Sequence, residues 1–328
     1  MKFLTNKKYV WVAVGAVLII AVILFFVFGK NNIDINSSDV KGDKIGVSAL
    51  AGIECGNYNS RPYAVMLSSD KEARPLSGIA EADVVFEMPV VNNGFTRMMA
   101  VYQCNRPNEV GSIRSSRLDF LPLALGLNAI YAHFGGEHEV LEELNKGVID
   151  NIDGLKYDGT IYYRKGSIPR PHNAFTDFSL LAQAVTQLGY KTDNTNIVYP
   201  HDKNDKSVDL IQPPTLFNKG FDVVWKYDQA KNSYLRWRAG SQEIDKNNLK
   251  QVDAKNVVIM KTTWAPINKD YIRVKTVGSG QAVVYKNGEE IKGTWDKKDD
   301  NSKLYFYDLN NKEIKFTPGN IWIEIDAR

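Results

Sequence analysis

The sequence predicts an α+β fold: an N-terminal transmembrane helix, an α/β domain with a mixed sheet, and a C-terminal, mostly antiparallel β domain. Three observations lead there. Residues 9–28 (YVWVAVGAVLIIAVILFFVF) form a 20-residue run without a charge, enough to cross a hydrocarbon core of about 30 Å. Between residues 61 and 190, short apolar runs alternate with amphipathic ones of helical spacing, the pattern of strands interleaved with helices. Beyond residue 214, strand-like runs follow one another at short intervals, separated by turn signals such as Asn287-Gly288.

Taken in order, residues 1–30 read as a cytoplasmic stub and membrane anchor. Lys2, Lys7 and Lys8 precede the apolar run, which places the N-terminus in the cytoplasm and the rest of the chain outside. The competing reading is a cleaved signal peptide, whose apolar region is usually about 7–15 residues and ends in a small-residue cleavage site. Here the run ends Phe25-Phe26-Val27-Phe28-Gly29-Lys30, with no such site and no cysteine close behind it. Residues 31–60, rich in Asn, Ser, Asp, Gly and Lys, read as a tether. The α/β domain spans 61–195, with strands expected over 63–67, 83–88, 96–103 and 130–134 and helices over 118–129, 137–145 and 178–188. Gly189 is a stop signal for the last helix. The β-rich domain, 196–328, is expected to hold strands over 221–226, 234–238, 256–261, 271–276, 281–286, 304–307 and 320–325.

Charge narrows the function. The chain carries +3 overall, and four lysines in the first 30 residues supply +4, so the remainder is −1. A nearly neutral exported part excludes the electrostatic footprint of a nucleic-acid binder. The chain has two cysteines, Cys55 and Cys104, which outside the cytoplasm permit a disulfide; two separate buried thiols are the alternative. Neither has the spacing of a zinc site.

Four constellations in the α/β domain carry chemistry. Glu87 ends a buried strand, where a lone carboxylate is costly, and Thr96 and Arg97 follow on the next strand. Arg97 is its natural partner, as a structural ion pair or as part of a site. Next, GSIRSSRLD leads from a loop into a helix and offers Arg114, Arg117 and two hydroxyls near a helix start, an arrangement suited to phosphate or carboxylate. Its bland alternative has Ser115 or Ser116 capping the helix and the arginines solvated or paired with Asp119. Third, His133 closes a strand before Gly135-Gly136, which let a ligand approach the backbone. Fourth, Arg170-Pro171-His172-Asn173 places a cation, an imidazole and an amide on a stiff loop, although a plain turn uses the same letters. With no cysteine and too few acids among these groups, no metal or other cofactor is expected. Trp225, Trp237, Trp264, Trp295 and Trp322 in the second domain read mainly as core, with a carbohydrate or protein face as the alternative.

RPYAVML, ARPLSGIAEADVVFEMPV, GFTRMMAVY, GSIRSSR, YAHFGG and RPHNAF occur in this order, followed by GSGQAVVYKNGEEIKGTW and FYDLNNKEIKFTPGNIWIEI. Over residues 61–326 the chain resembles the YerB family of bacterial envelope lipoproteins. The resemblance implies a two-domain envelope protein and supplies no reaction. It picks out Glu87, Thr96, Arg97, Arg114, Arg117, His133, Gly135, Gly136, His172 and Asn173. Where relatives tend to have an acid and two glycines, this chain has Asn92-Asn93-Gly94. Arg170 stands where a small residue is usual, and a transmembrane run replaces the lipid-modified cysteine.

Two functions follow. The first is a membrane-anchored binding module for an anionic or glycan envelope ligand, with Arg97, Arg114, Arg117, Gly135, Gly136 and Asn173 lining the site. The second is an envelope hydrolase or transferase acting on cell-wall glycan, peptide or phosphodiester, with His133 or His172 as general base and Glu87 as general acid or orienter. Binding ranks first, because no nucleophile–base pair can be read from the letters. The expected partners are envelope polymer or a small anion, the membrane, and a protein partner, with no nucleic acid.

Overall fold

The computed structural model describes residues 45–92, 94–193, 199–202, 210–217 and 220–328. The expected span 9–28, the tether as far as residue 44, and Asn93 lie outside them. The expected fold class is corrected. Among the described residues, no helix is long and apolar enough to cross a membrane. Of these residues 41% lie in strands and 12% in helices, so the α+β reading gives way to a mostly β protein.

The reason for the correction is a single ten-stranded sheet. In chain order its strands are β1 (Tyr63–Ser68), β2 (Val84–Pro89), β3 (Thr96–Tyr102), β4 (Ile130–His133), β5 (Asn151–Asp153), β6 (Asn256–Thr262), β7 (Gly278–Lys286), β8 (Glu289–Lys297), β9 (Tyr305–Asp308) and β10 (Ile321–Ala327). Across the sheet the order is β9-β8-β7-β6-β10-β2-β3-β1-β4-β5. The last strand, β10, runs parallel to both β6 and β2, and so joins the two halves of the sequence. β1 to β6 and β10 are wholly or almost wholly buried. Their apolar runs show little alternation because both faces are covered.

Helices are few and short. The run expected over 118–129 yields a 3-10 turn, Leu118–Phe120, and α1, Leu121–Leu125. Asn128, at φ 48°, helps turn the chain back into β4. Helix α2 (His138–Asn145) is the crossover between the parallel strands β4 and β5. Helix α3 (Phe178–Leu188) matches its expected bounds; Asp177 caps it by accepting from the N–H groups of Ser179 and Leu180, and Gly189 closes it at φ +69°. One sheet face packs Leu121, Leu123, Val140 and Leu144 of α1 and α2. The other packs Phe178, Leu181 and Val185 of α3, together with Trp225 and Tyr234 of a hairpin formed by Val223–Asp228 and Ser233–Arg238.

The folded part starts upstream of residue 61. Ser48, Leu50 and Ala51, within the stretch read as tether, are buried. Ser48 Oγ donates to Gln103 (2.7 Å), and Gly319 N donates to Ala51 O (2.8 Å). Cys55 is disulfide-bonded to Cys104, as the count of two allowed. Trp225, Trp295 and Trp322 are fully buried, in keeping with a core role.

Candidate functional site

The residues singled out by sequence divide between the two sheet faces, and strand periodicity decides which goes where. In β3, Thr96 shares a face with Met98 and Ala100, while Arg97 shares the other with Met99 and Val101. Glu87 lies on the Thr96 side, in register with Met98. The expected Glu87–Arg97 pair is therefore not formed.

Glu87 instead sits in a buried charge network. Thr96 Oγ1 donates to Glu87 Oε1, and Arg236 Nη2 and Arg238 Nη2 both donate to Glu87 Oε2. Arg236 also reaches Glu243 and, at 3.3 Å, Glu324 Oε1. Trp225 Nε1 donates to the same Glu324 oxygen (2.9 Å), and the Arg236 guanidinium lies 4.1 Å from the Trp322 ring centroid. Glu87, Arg236 and Glu324 are 0% exposed. Glu87 thus has no route to solvent for acid or base work, and its carboxylate is taken up by the two arginines.

Within that network two guanidiniums face three carboxylates. Burial raises the Glu324 carboxyl to about 7; Arg236 and Arg238 oppose the shift and Glu87 adds to it. A carboxyl whose folded pKa lies above its unfolded value stabilises the protein at low pH and loses that contribution as pH rises through the folded value. Glu324→Gln is therefore expected to gain about 1–3 kcal/mol on the parent between about pH 5 and about pH 8. Denaturant titrations of both proteins at the two pH values would check this; a pH-independent difference would show that Glu324 does not titrate there.

On the other face the arginines do converge. β1, β2, β4, β5 and β10 end at one edge of the sheet, and β3 begins there. A strap crosses that edge: Ile113 bridges Leu67, Arg114 N donates to Met66 O (2.9 Å), and Phe134 N donates to Arg114 O (3.1 Å). The strap brings Arg114 and Arg117 beside Arg97. Asp70, just past β1, lies 3.6 Å from Arg97 Nη1, 3.8 Å from Arg114 Nε and 3.7 Å from His172 Nδ1. Ser68 Oγ donates to the same Asp70 oxygen at 2.6 Å. Burial by itself would raise the Asp70 carboxyl, but Ser68, Arg97, Arg114 and His172 together hold it below its usual range.

A cleft of ≈ 600 Å³ opens here, walled by Asp70, Phe95, Arg97, Arg114, Arg117 and Tyr271. Arg97 is 5% exposed. Its Nε and Nη1, and the Nε atoms of Arg114 and Arg117, have no hydrogen-bond partner among the described residues. Burial foremost, with the neighbouring Arg114 and Arg117 charges, lowers the Arg97 pKa to about 9, against the opposing pull of Asp70. The guanidinium of Arg117 lies 5.3 Å from the Tyr271 ring centroid. Lys269 and Asp270 cancel, so three guanidiniums against Asp70 leave an excess of two positive charges. Such an arrangement can hold an anion.

The other expected site residues have different surroundings. His133 is fully buried; its Nδ1 donates to Gly135 O (2.9 Å), and its Nε2 lies 3.3 Å from Asn151 Oδ1. Burial lowers its pKa, against the pull of Asp153. Gly135, at φ +67°, takes a hydrogen bond from Ser116 N (2.9 Å) and donates one to Asp153 Oδ1 (3.0 Å). Gly136 lines a second, adjoining cleft. Asn173 accepts from Arg164 Nη1 (2.9 Å), and His172 borders the arginine cleft through Asp70. Neither Ser115 nor Ser116 caps the 3-10 turn; Glu137 Oε1 accepts from Leu118 N (2.9 Å). Asp119 pairs with Arg273 (3.1 Å). Sequence reasoning missed Asp70 and Tyr271 at the cleft and Arg236, Arg238, Glu243 and Glu324 in the network. The one available signal was YLRWR, whose two arginines share a face with buried Tyr234.

Residues 49–191 match the N-terminal domain, and residues 215–323 the C-terminal domain, of a protein family of unknown function, DUF3048. The chain belongs to the DUF3048 family. It is 29% identical over 271 residues, 81% of each chain, to the protein named "Putative lipoprotein YerB" of Bacillus subtilis (strain 168). The crystal structure of the YerB protein from Bacillus subtilis superposes with a TM-score of 0.74 at 26% identity, covering 85% of this chain and 95% of that one. In this DUF3048 member the arginine cleft draws Arg97, Arg114 and Arg117 from the N-terminal family domain and Tyr271 from the C-terminal one.

Proposed function

We propose that this DUF3048 protein is an envelope protein, held at the membrane outside the cytoplasm, that binds an anionic ligand in the cleft of Arg97, Arg114 and Arg117. The observation that carries this reading is the buried Arg97 guanidinium, with two N–H-bearing nitrogens that make no hydrogen bond among the described residues, Asp70 as a 3.6 Å ion-pair neighbour, and two further arginines beside it. Buried donors left unmade are costly, and an anion supplies the acceptors. The Cys55–Cys104 disulfide supports an oxidising compartment, as does the lipoprotein name of the Bacillus subtilis relative.

Thermal unfolding of the full chain in inorganic phosphate tests it. Phosphate is expected to raise the parent's midpoint. Arg117→Ala, at a half-buried position, is expected to weaken binding by about tenfold to a hundredfold, the worth of one charged hydrogen-bonding group. Equal stabilisation of parent and variant would sink the proposal.

A hydrolase or transferase is the second reading, favoured by His172, whose Nδ1 lies 3.7 Å from Asp70 and 3.5 Å from Ser68 Oγ at the cleft's margin. Burial lowers the His172 pKa against the influence of Asp70, which keeps the imidazole neutral and able to accept a proton.

A further inference from the structure

The arginine cleft has a neighbour. A second cleft of ≈ 430 Å³ is lined by Ser115, Arg117, Gly136, Glu137, Asn268 and Tyr271, among others. Arg117 and Tyr271 line both, so the two spaces meet at this cation–aromatic pair. Their chemistry differs. The second cleft's other guanidinium, Arg273, is already engaged: Nη1 donates to Asp119 (3.1 Å) and lies 3.5 Å from Glu137, and Nη2 donates to Glu139. Around that guanidinium the cleft offers the remaining acceptor positions of the Glu137 and Glu139 carboxylates, a hydroxyl, an amide and the exposed imidazole of His138. Arg117 and Arg273 balance Glu137 and Glu139, so the lining has no excess charge for a second anion, whereas hydroxyl groups can donate to the carboxylates and accept from the amide.

We infer that the two clefts are subsites of one ligand, a phosphate ester of a sugar or similar polyol. Its phosphate sits among Arg97, Arg114 and Arg117, and its hydroxyl-bearing body crosses the Arg117–Tyr271 pair into the second cleft. The phosphate half rests on the anion-binding reading; the polyol half rests on the second cleft alone. A dianionic phosphate monoester also matches the excess of two positive charges at the first cleft.

Calorimetric titration of the full chain with inorganic phosphate, glucose 1-phosphate and cyclohexyl phosphate separates the two halves. Cyclohexyl phosphate has the same charge and ring size without the hydroxyls. Glucose 1-phosphate is expected to bind about tenfold more tightly than cyclohexyl phosphate, the effect of one or two net hydrogen bonds. His138→Trp, at the exposed wall of the second cleft, is expected to block it, abolish that preference and leave inorganic phosphate binding unchanged. Equal binding of the two esters by the parent, with both lost in Arg117→Ala, would overturn the polyol subsite and leave the anion site standing. No binding of any of the three phosphates would overturn both.

Discussion

Glu87→Ala is expected to destabilise the protein by about 3–5 kcal/mol, the cost of breaking a buried ion pair from one side. The carboxylate is 0% exposed and accepts from both Arg236 and Arg238, which are 0% and 2% exposed. Truncation leaves two buried guanidiniums sharing Glu243 and Glu324. Removing both sides should cost less than the sum of the single changes. Glu87→Met combined with Arg236→Met takes away charge together with countercharge and keeps much of the volume. Denaturant unfolding of the two single variants and the double variant measures the coupling. A loss under about 1 kcal/mol for Glu87→Ala, the range of exposed pairs, would mean that water reaches the network. Because Glu87 and Arg97 project from opposite faces, a folded Glu87 variant should retain phosphate binding.

Replacing both cysteines by serine is expected to cost about 4 kcal/mol, from the chain entropy of a loop of this length. The bond joins positions 49 residues apart and ties the N-terminal edge of the folded part to the end of β3. Between them, the loop contains β1, β2 and β3, so the reduced chain must order central strands without that constraint. The check is the melting midpoint of the parent with and without reductant, beside that of the Cys55→Ser/Cys104→Ser variant. Reduced parent and variant should melt together and well below the oxidised protein. Coincident midpoints for all three would show that packing of Leu50 and Ala51 already holds this segment in place.

Much of the local structure was legible. Residues 63–67 and 83–88 read as buried strands because short unbroken apolar runs fit a covered sheet, and β1 and β2 lie there; 256–261 read as a strand and holds β6. Asp177 and Gly189 bracket α3 because capping is a local interaction. Placing Arg114 and Arg117 near a sheet edge followed from a loop between strand-like runs, and the strap puts them there. The helix over 118–129 was overestimated, since its apolar letters also suit a short 3-10 turn and helix buried against the sheet.

What the letters determined by themselves was where the central strands and the last helix lie, because strand and helix periods and caps are properties of neighbouring residues. They also marked Arg97, Arg114 and Arg117 as candidate ligand-binding residues, though not that Asp70 and Tyr271 would stand beside them in one cleft. Tertiary structure alone decided that β10 inserts between β6 and β2, making one sheet from both family domains. It also chose the partners of Glu87, arginines 149 and 151 residues away, over Arg97 at ten. The letters placed Glu87 at the end of a buried strand; only packing across the whole chain settles which charge meets it there, because desolvation makes a buried carboxylate take the countercharge that shares its face and leaves the nearer arginine to the cleft.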